Sequence, residues 1–169
     1  MIIFDFDQTL VDTSPAADLR ADRKWSAVMT QSKAGRLPVY PGVSEMLAVL
    51  HAKGHRLAIL TKSPDMVPRW YVEHYGWPID IVLGYHQVKR RKPDPEGLLL
   101  AMKAAGASPD DTHHVGDQAQ DTEASRAANV IAIGVTWGIT SKEELEASRP
   151  DFIFDTVSEL QDYLSDQKA

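Results

Sequence analysis

The chain alternates between two hydrophobic rhythms. Short, mostly apolar runs of strand length lie at 2–6, 57–60, 79–83, 113–115, 130–135 and 152–154. Between them apolar residues recur at three- and four-residue spacing, the pattern of an amphipathic helix. Val43, Met46, Leu47 and Leu50 form one such face, and Gly54 supplies the left-handed residue that ends it. Ser63 and Pro64 read as the cap and first turn of the next, with Met66, Val67, Trp70 and Tyr71 facing inward. Asp94-Pro95 opens another, with Leu98, Ala101, Met102 and Ala105 inside and Gly106 as its stop. Ser141 with Glu144, and Thr156 with Glu159, have the spacing of capping boxes. This alternation predicts an α/β domain: a three-layer, Rossmann-like fold with a mainly parallel sheet.

The alternation fails once, over residues 13–40, where no strand pattern occurs. Ser14-Pro15 reads as a helix start, Ala21, Trp25, Val28 and Met29 share a helical face with Trp25 as its apolar anchor, and a polar turn follows at 31–36. The expectation is a short helical cap insertion at 13–40 in a core made of 1–12 and 41–169.

Open α/β sheets bind ligands at the carboxyl ends of their strands. The first strand delivers Asp5 and Asp7 there, the second Thr61 and Lys62, the third a basic loop at 89–92, and the fourth Gly116-Asp117 and then Asp121. The fifth leads into Thr136-Trp137-Gly138. If Phe4 and Phe6 point one way, the carboxylates of Asp5 and Asp7 point the other. Acids so close, with Asp117 beside them, repel unless a cation lies between. An all-oxygen donor set without Cys or His suits Mg²⁺. Mg²⁺ in turn points to a phosphate-bearing ligand, with Lys92 neutralising one phosphoryl oxygen, Thr61 donating a hydrogen bond to another, and Lys62 assisting.

Other polar residues have plainer readings. Lys89, Arg90 and Arg91 read as loop surface. His113 and His114 are strand neighbours, so they face opposite sides and cannot share one ion; packing is their expected role. Trp137 is expected to pack near the site. Arg20, Arg23 and Lys24 are expected in solvent, within reach of a leaving group, as is His86 in the loop before Lys92.

Composition narrows the picture further. A chain of 169 residues with 43% apolar and 25% charged residues is one folded domain rather than a disordered segment. The absence of cysteine excludes disulfides, a thiolate metal site and a Cys nucleophile. The N-terminus lacks a basic, apolar leader, and no apolar run approaches the ~20 residues that cross a bilayer, so a cytoplasmic protein with no membrane partner is expected. A net charge of -6 argues against a broad nucleic-acid surface. It does not argue against a small phosphate: eight acids and three bases lie from Lys142 onward, so the surplus belongs to the C-terminal helices.

The ordered set Asp5-Phe6-Asp7-Gln8-Thr9-Leu10, Thr61, Lys92-Pro93-Asp94-Pro95 and Gly116-Asp117-Gln118-Ala119-Gln120-Asp121 resembles the haloacid dehalogenase-like hydrolase superfamily, over residues 1 to about 155. The resemblance implies an Mg²⁺-dependent phosphomonoester hydrolase acting on a small phosphorylated metabolite. Asp5 would be the nucleophile that forms an aspartyl-phosphate, and Asp7 the general acid and base. The metal would be held by Asp5, the Asp7 main-chain carbonyl and Asp117, with Asp121 as an outer or direct ligand, while Thr61 and Lys92 would hold the transferring group. Dehalogenases of the superfamily lack the second acid, so Asp7 favours phosphoryl transfer. The insertion sits where relatives of the C1 type carry a longer cap. A short one implies either a small substrate covered partly by a neighbouring subunit of a homodimer, or a larger substrate in an open cleft. The alternatives are a phosphomutase or phosphotransferase on the same fold, and a protein that binds a phosphorylated ligand without turnover.

Overall fold

The computed structural model describes residues 1–168. Over these residues the chain forms six strands: β1 (Ile2–Phe4), β2 (Leu57–Leu60), β3 (Ile81–Leu83), β4 (His113–Gly116), β5 (Ile131–Val135) and β6 (Phe152–Phe154). All pair in parallel in the order β3-β2-β1-β4-β5-β6. The helices between them are α1 (Ala17–Ala21), α2 (Trp25–Lys33), α3 (Val43–Ala52), α4 (Met66–Tyr75), α5 (Glu96–Ala105), α6 (Ala119–Ala127), α7 (Lys142–Ser148) and α8 (Val157–Ser165). The strand order reverses direction beside β1, and that switch point is where a parallel sheet opens a crevice.

Side-chain alternation along the strands divides the core in two. Ile2, Phe4, Leu57, Ile59 and Val115 pack with the buried faces of α3, α4 and α8. Ile3, Ala58 and Leu60 pack on the other face with Leu98, Ala101 and Met102 of α5 and Ala124 of α6. Burial on both faces is what makes these strands nearly continuous apolar runs.

The first strand is shorter than its apolar run because Asp5 ends it. Its N–H still donates to Val115 O at 2.8 Å, but its Oδ1 then takes the N–H of Phe6, also at 2.8 Å, drawing the backbone out of the ladder. The third strand begins two residues late, since Ile79 N–H donates to Trp77 O in a tight turn. Gly54 and Gly106 adopt the expected left-handed conformation at helix ends. Thr156 and Glu159 form a full capping box, whereas Ser141 accepts from Glu144 N–H without the reciprocal bond. The Ser63 cap is a correction: α4 starts at Met66, and the Ser63 hydroxyl is used elsewhere. Met66 is exposed rather than inward-facing.

The segment after β1 holds a 3-10 turn (Ser14–Ala16), α1 and α2. The single helix expected through Ala21 and Trp25 is two, because Arg23 takes a left-handed φ of 56° and turns the chain between them, leaving Ala21 exposed. Backbone bonds Asp12 N–H to Pro38 O and Tyr40 N–H to Leu10 O clasp the two ends of the excursion. Val28 and Leu37 are buried in the main core, and Tyr71 of α4 donates its hydroxyl to Leu37 O at 2.8 Å. The excursion is therefore pinned to the sheet domain along one side.

His113 and His114 face opposite sides, as strand geometry requires: His113 lies against the Tyr163 ring, and His114 Nδ1 meets Ser125 Oγ at 2.7 Å. Ser125 gives its one hydroxyl proton to Asp121 O, so His114 carries its proton on Nδ1. Burial pushes both imidazoles down to about 4. Unfolded histidine protonates near ~6.5 and the folded groups do not until ~4, so stability is complete above the first value and falls as pH drops toward the second. For the fully enclosed His114 the expected loss is about 2 kcal/mol between about pH 7.5 and 5. Chemical denaturation across this range checks it, and His114→Asn, which cannot protonate, is expected to flatten the slope.

Candidate active site

Four carboxylates and one ammonium meet at the end of β1. Asp5 Oδ1 is held by the Phe6 N–H and by Lys92 Nζ at 3.0 Å. Its Oδ2 takes no hydrogen bond among the described residues. Lys92 follows the basic loop and is almost wholly enclosed, with Nζ 2.7 Å from Asp121 Oδ1 and 3.2 Å from Leu60 O. Asp117 follows β4, and Asp121 lies in the first turn of α6, where its Oδ2 accepts the Gln118 N–H at 3.0 Å. Asp5, Asp117 and Asp121 bring carboxylate oxygens within 4.8 Å of one another, all buried.

The electrostatics follow from that crowding. Burial pushes Asp5 well above the usual carboxylate range; Lys92 opposes this, and Asp121, Asp117 and Asp7 add to it. Burial likewise pushes Asp117 up to about 6, against the Ile139 N–H and with Asp121. Burial alone would lower the Lys92 ammonium, but Asp121 and Asp5 outweigh it and hold it above its ordinary value. One lysine does not balance three carboxylates, and a site of anionic oxygens alone fits a small, hard divalent cation better than zinc or copper.

Asp7 stands apart from that trio. Its carboxylate turns toward the excursion and takes four bonds: from Thr13 Oγ at 3.1 Å, Thr61 Oγ at 2.9 Å, Ser63 Oγ at 2.8 Å and the Arg20 guanidinium at 3.0 Å. Thr61 is thus in the site but spends its hydroxyl on Asp7, while its own oxygen accepts the Ser63 N–H. Lys62 is exposed and reaches across to Gln120 Oε1 at 2.8 Å. A cleft of about 160 Å³ lies between these groups, lined by Asp5, Asp7, Arg20, Lys62, Lys92, Gln118 and Gln120.

The loop after β5 braces the trio from outside. Ile139 N–H donates to Asp117 Oδ2 at 3.0 Å, and Trp137 Nε1 donates to Thr9 O at 3.0 Å. A Cβ on Gly138 would collide with the Asp117 carboxylate, as one on Gly116 would with Asp121. Gly138→Ala is therefore expected to displace Asp117 and weaken divalent-cation binding about 10- to 100-fold. Titrating Mg²⁺ against the thermal midpoint checks this, with the metal-free midpoint as the control for folding.

Arg20, expected in solvent, bonds both Asp7 and Thr13 Oγ. Ser63 and Thr13 were missed, as were Gln118 and Gln120. The only sequence signal for the first two was their position, just beyond a strand end and at the mouth of the excursion, and Ser63 had a competing use as a helix cap. The basic loop is surface apart from Lys92: Arg90 pairs with Glu96 at 2.9 Å, and Arg91 stacks on Tyr85 with its guanidinium 3.5 Å from the ring centroid. His86 is exposed beside the Tyr85 ring. Gln118 caps the N-terminus of α6.

The same arrangement has relatives. The family described as Haloacid dehalogenase-like hydrolase matches residues 20–135. The "Probable phosphatase IndB" of Dickeya dadantii is 40% identical over 144 residues, covering 83% of this chain and 63% of that protein. The Pyrophosphatase PpaX of Listeria welshimeri is 33% identical over 131 residues, covering 76% and 60%. A Phosphoglycolate phosphatase of Salmonella paratyphi A is 32% identical over 124 residues, covering 72% and 49%. The chain thus spans 49–63% of these relatives' lengths. Among solved structures, a hydrolase from Pseudomonas syringae superposes with a TM-score of 0.82 at 19% identity, covering 99% of each chain. With a family match over more than half of its length and these relatives beside it, the chain belongs to the haloacid dehalogenase-like hydrolases.

Proposed function

We propose that the protein is an Mg²⁺-dependent phosphomonoester hydrolase. The observation that carries the reading is Asp5: a buried carboxylate fixed through one oxygen by Phe6 N–H and Lys92, with the other left without a partner at the cleft. That is the arrangement a nucleophile needs, positioned on one side and unencumbered on the other. Relatives named as phosphatases support the same class.

On this reading Asp5 Oδ2 attacks phosphorus, the bond from phosphorus to the ester oxygen breaks, and an aspartyl-phosphate forms. Asp7 protonates the departing oxygen. It then takes a proton from the water that attacks the phosphorus, which releases phosphate and restores Asp5. Lys92 neutralises a phosphoryl oxygen, with Thr61 donating to another once its hydroxyl leaves Asp7. The residues that would hold Mg²⁺ are Asp5, Asp117 and the main-chain carbonyl of Asp7, with Asp121 behind them. When bound, the ion supplies charge neutralisation for the transferring group. Residues 13–40 act as a short cap over the leaving-group side.

The test is phosphate release from a panel of phosphorylated metabolites, with Mg²⁺ and after chelation. Turnover that appears with Mg²⁺ and disappears with chelator is expected. Tight binding of a phosphorylated compound without release over hours would replace this reading with a binding function.

A further inference from the structure

Beside the cleft lies a second, wider chamber of about 360 Å³, broadly open to solvent along the excursion, and its walls carry three cations: Arg20, Arg23 and Lys62. Ser63, Trp25 and Tyr85 complete its polar and aromatic lining. Arg20 and Lys62 line both spaces, so the chamber opens directly from the cleft. It contains no carboxylate of its own. Among the described residues Arg23 has no acidic partner, and Lys62 bonds only the neutral Gln120. In a chain whose net charge is -6, two cations without an acidic partner and a third shared with Asp7 leave this space locally positive and receptive to an anion.

The position of the chamber says which part of a substrate would supply it. The inner wall of the cleft is Asp5 and Lys92, where the phosphoryl group sits on the phosphatase reading, on which this inference rests. The leaving oxygen then faces Asp7, and Arg20 touches Asp7 at 3.0 Å. A group a few bonds beyond that oxygen enters the space between Arg20, Arg23 and Lys62. We infer that the leaving portion of the substrate carries a second anionic group, a carboxylate or a phosphate, and that Arg20, Arg23 and Lys62 recognise it.

Asp7 adds a consequence. Thr61, Ser63 and Arg20 all crowd its Oδ2, whereas Oδ1 takes only the Thr13 hydroxyl. An anion in the chamber competes for Arg20, and its withdrawal relieves the crowding on Oδ2. Recognition of the leaving group and the hydrogen bonding of Asp7 are thereby linked through one guanidinium.

Two measurements with matched probes test this. The first compares kcat/KM for 2-phosphoglycolate, which leaves a carboxylate, and pyrophosphate, which leaves a phosphate, with that for ethyl phosphate, which leaves a neutral alcohol. At least one anionic probe is expected to be favoured about tenfold or more by such charge pairing, and the two arms separate a carboxylate from a phosphate. The ratio is expected to collapse in Arg23→Gln and in Lys62→Gln. The second measurement is calorimetric binding of the same probes to Asp5→Asn, which needs no turnover. Anion preference in binding, reduced by Arg23→Gln in that background, sustains the inference even if no probe is hydrolysed, a result that would sink only the hydrolase reading. Equal binding of charged and neutral probes, or a preference untouched by both substitutions, overturns the inference and leaves the hydrolase reading standing.

Discussion

Asp5→Asn is expected to abolish phosphate release, a fall of at least about 10⁴-fold in kcat, because on the proposed mechanism its Oδ2 is the attacking oxygen. The fold should survive. Asparagine is nearly isosteric, its Oδ1 still accepts the Phe6 N–H, and Lys92 keeps its 2.7 Å contact with Asp121. Metal-free stability should hold or rise, since burial and three neighbouring acids push Asp5 well above the ordinary carboxylate range and the substitution removes that unfavourable charge. The thermal gain on adding Mg²⁺ should shrink, because one of three clustered carboxylates is lost. Activity loss, retained metal-free stability and a weakened response to Mg²⁺ together distinguish a nucleophile that also faces the metal from a merely structural acid. Turnover within about tenfold of the original would remove Asp5 from the mechanism.

The framework is legible in the sequence because it is periodic. Strands buried on both faces appear as apolar runs, and the helices between them have one face and legible ends, as at Gly54 and Gly106. The acids at the strand ends were legible for the same reason: once β1 and β4 are placed, Asp5 and Asp117 can only emerge at one edge. Partnerships were less legible. Nothing in the spacing says that Asp7 turns away from Asp5 toward Thr13 and Arg20, because that orientation is decided by side chains arriving from a segment six to thirteen residues later. Ser63 illustrates the limit: a serine before a proline fits a helix cap, and only the parallel pairing of β1 with β2 brings its hydroxyl to Asp7 instead. The break between α1 and α2 was invisible because it depends on Arg23 adopting a left-handed conformation that its residue type does not favour.

The excursion links these observations to selectivity. Its apolar side, through Val28 and Leu37, belongs to the sheet domain's core, while its polar side presents Arg20 and Arg23 to the cleft and chamber. The basic loop looks similar in sequence, yet both of its guanidiniums are engaged within the fold, Arg90 on Glu96 and Arg91 over the Tyr85 ring. Of the cations near the site, Lys92 is committed to Asp5 and Asp121, so it holds the acid cluster together before any substrate arrives.

Lys92→Met is therefore expected to destabilise the metal-free protein by about 3–5 kcal/mol, the usual consequence of removing one partner from a buried ion pair. The apolar stem of lysine is replaced by a chain of similar volume, so the loss measures charge rather than packing. Asp5 and Asp121 lose their shared counter-charge, and Leu60 O loses its side-chain donor. Residual activity should fall about 10²- to 10³-fold with Mg²⁺ present, since on the proposed mechanism Lys92 neutralises a phosphoryl oxygen. The stability deficit, however, should narrow as Mg²⁺ is added. A cation binds the variant's uncompensated carboxylates more tightly than those that already share an ammonium, and whatever binds the folded state preferentially stabilises it. Denaturant midpoints with chelator and with saturating Mg²⁺, for both proteins, make the comparison. A deficit that metal leaves unchanged would show that Lys92 and the divalent cation do not act on the same carboxylates, and the trio of Asp5, Asp117 and Asp121 would no longer serve as the metal site.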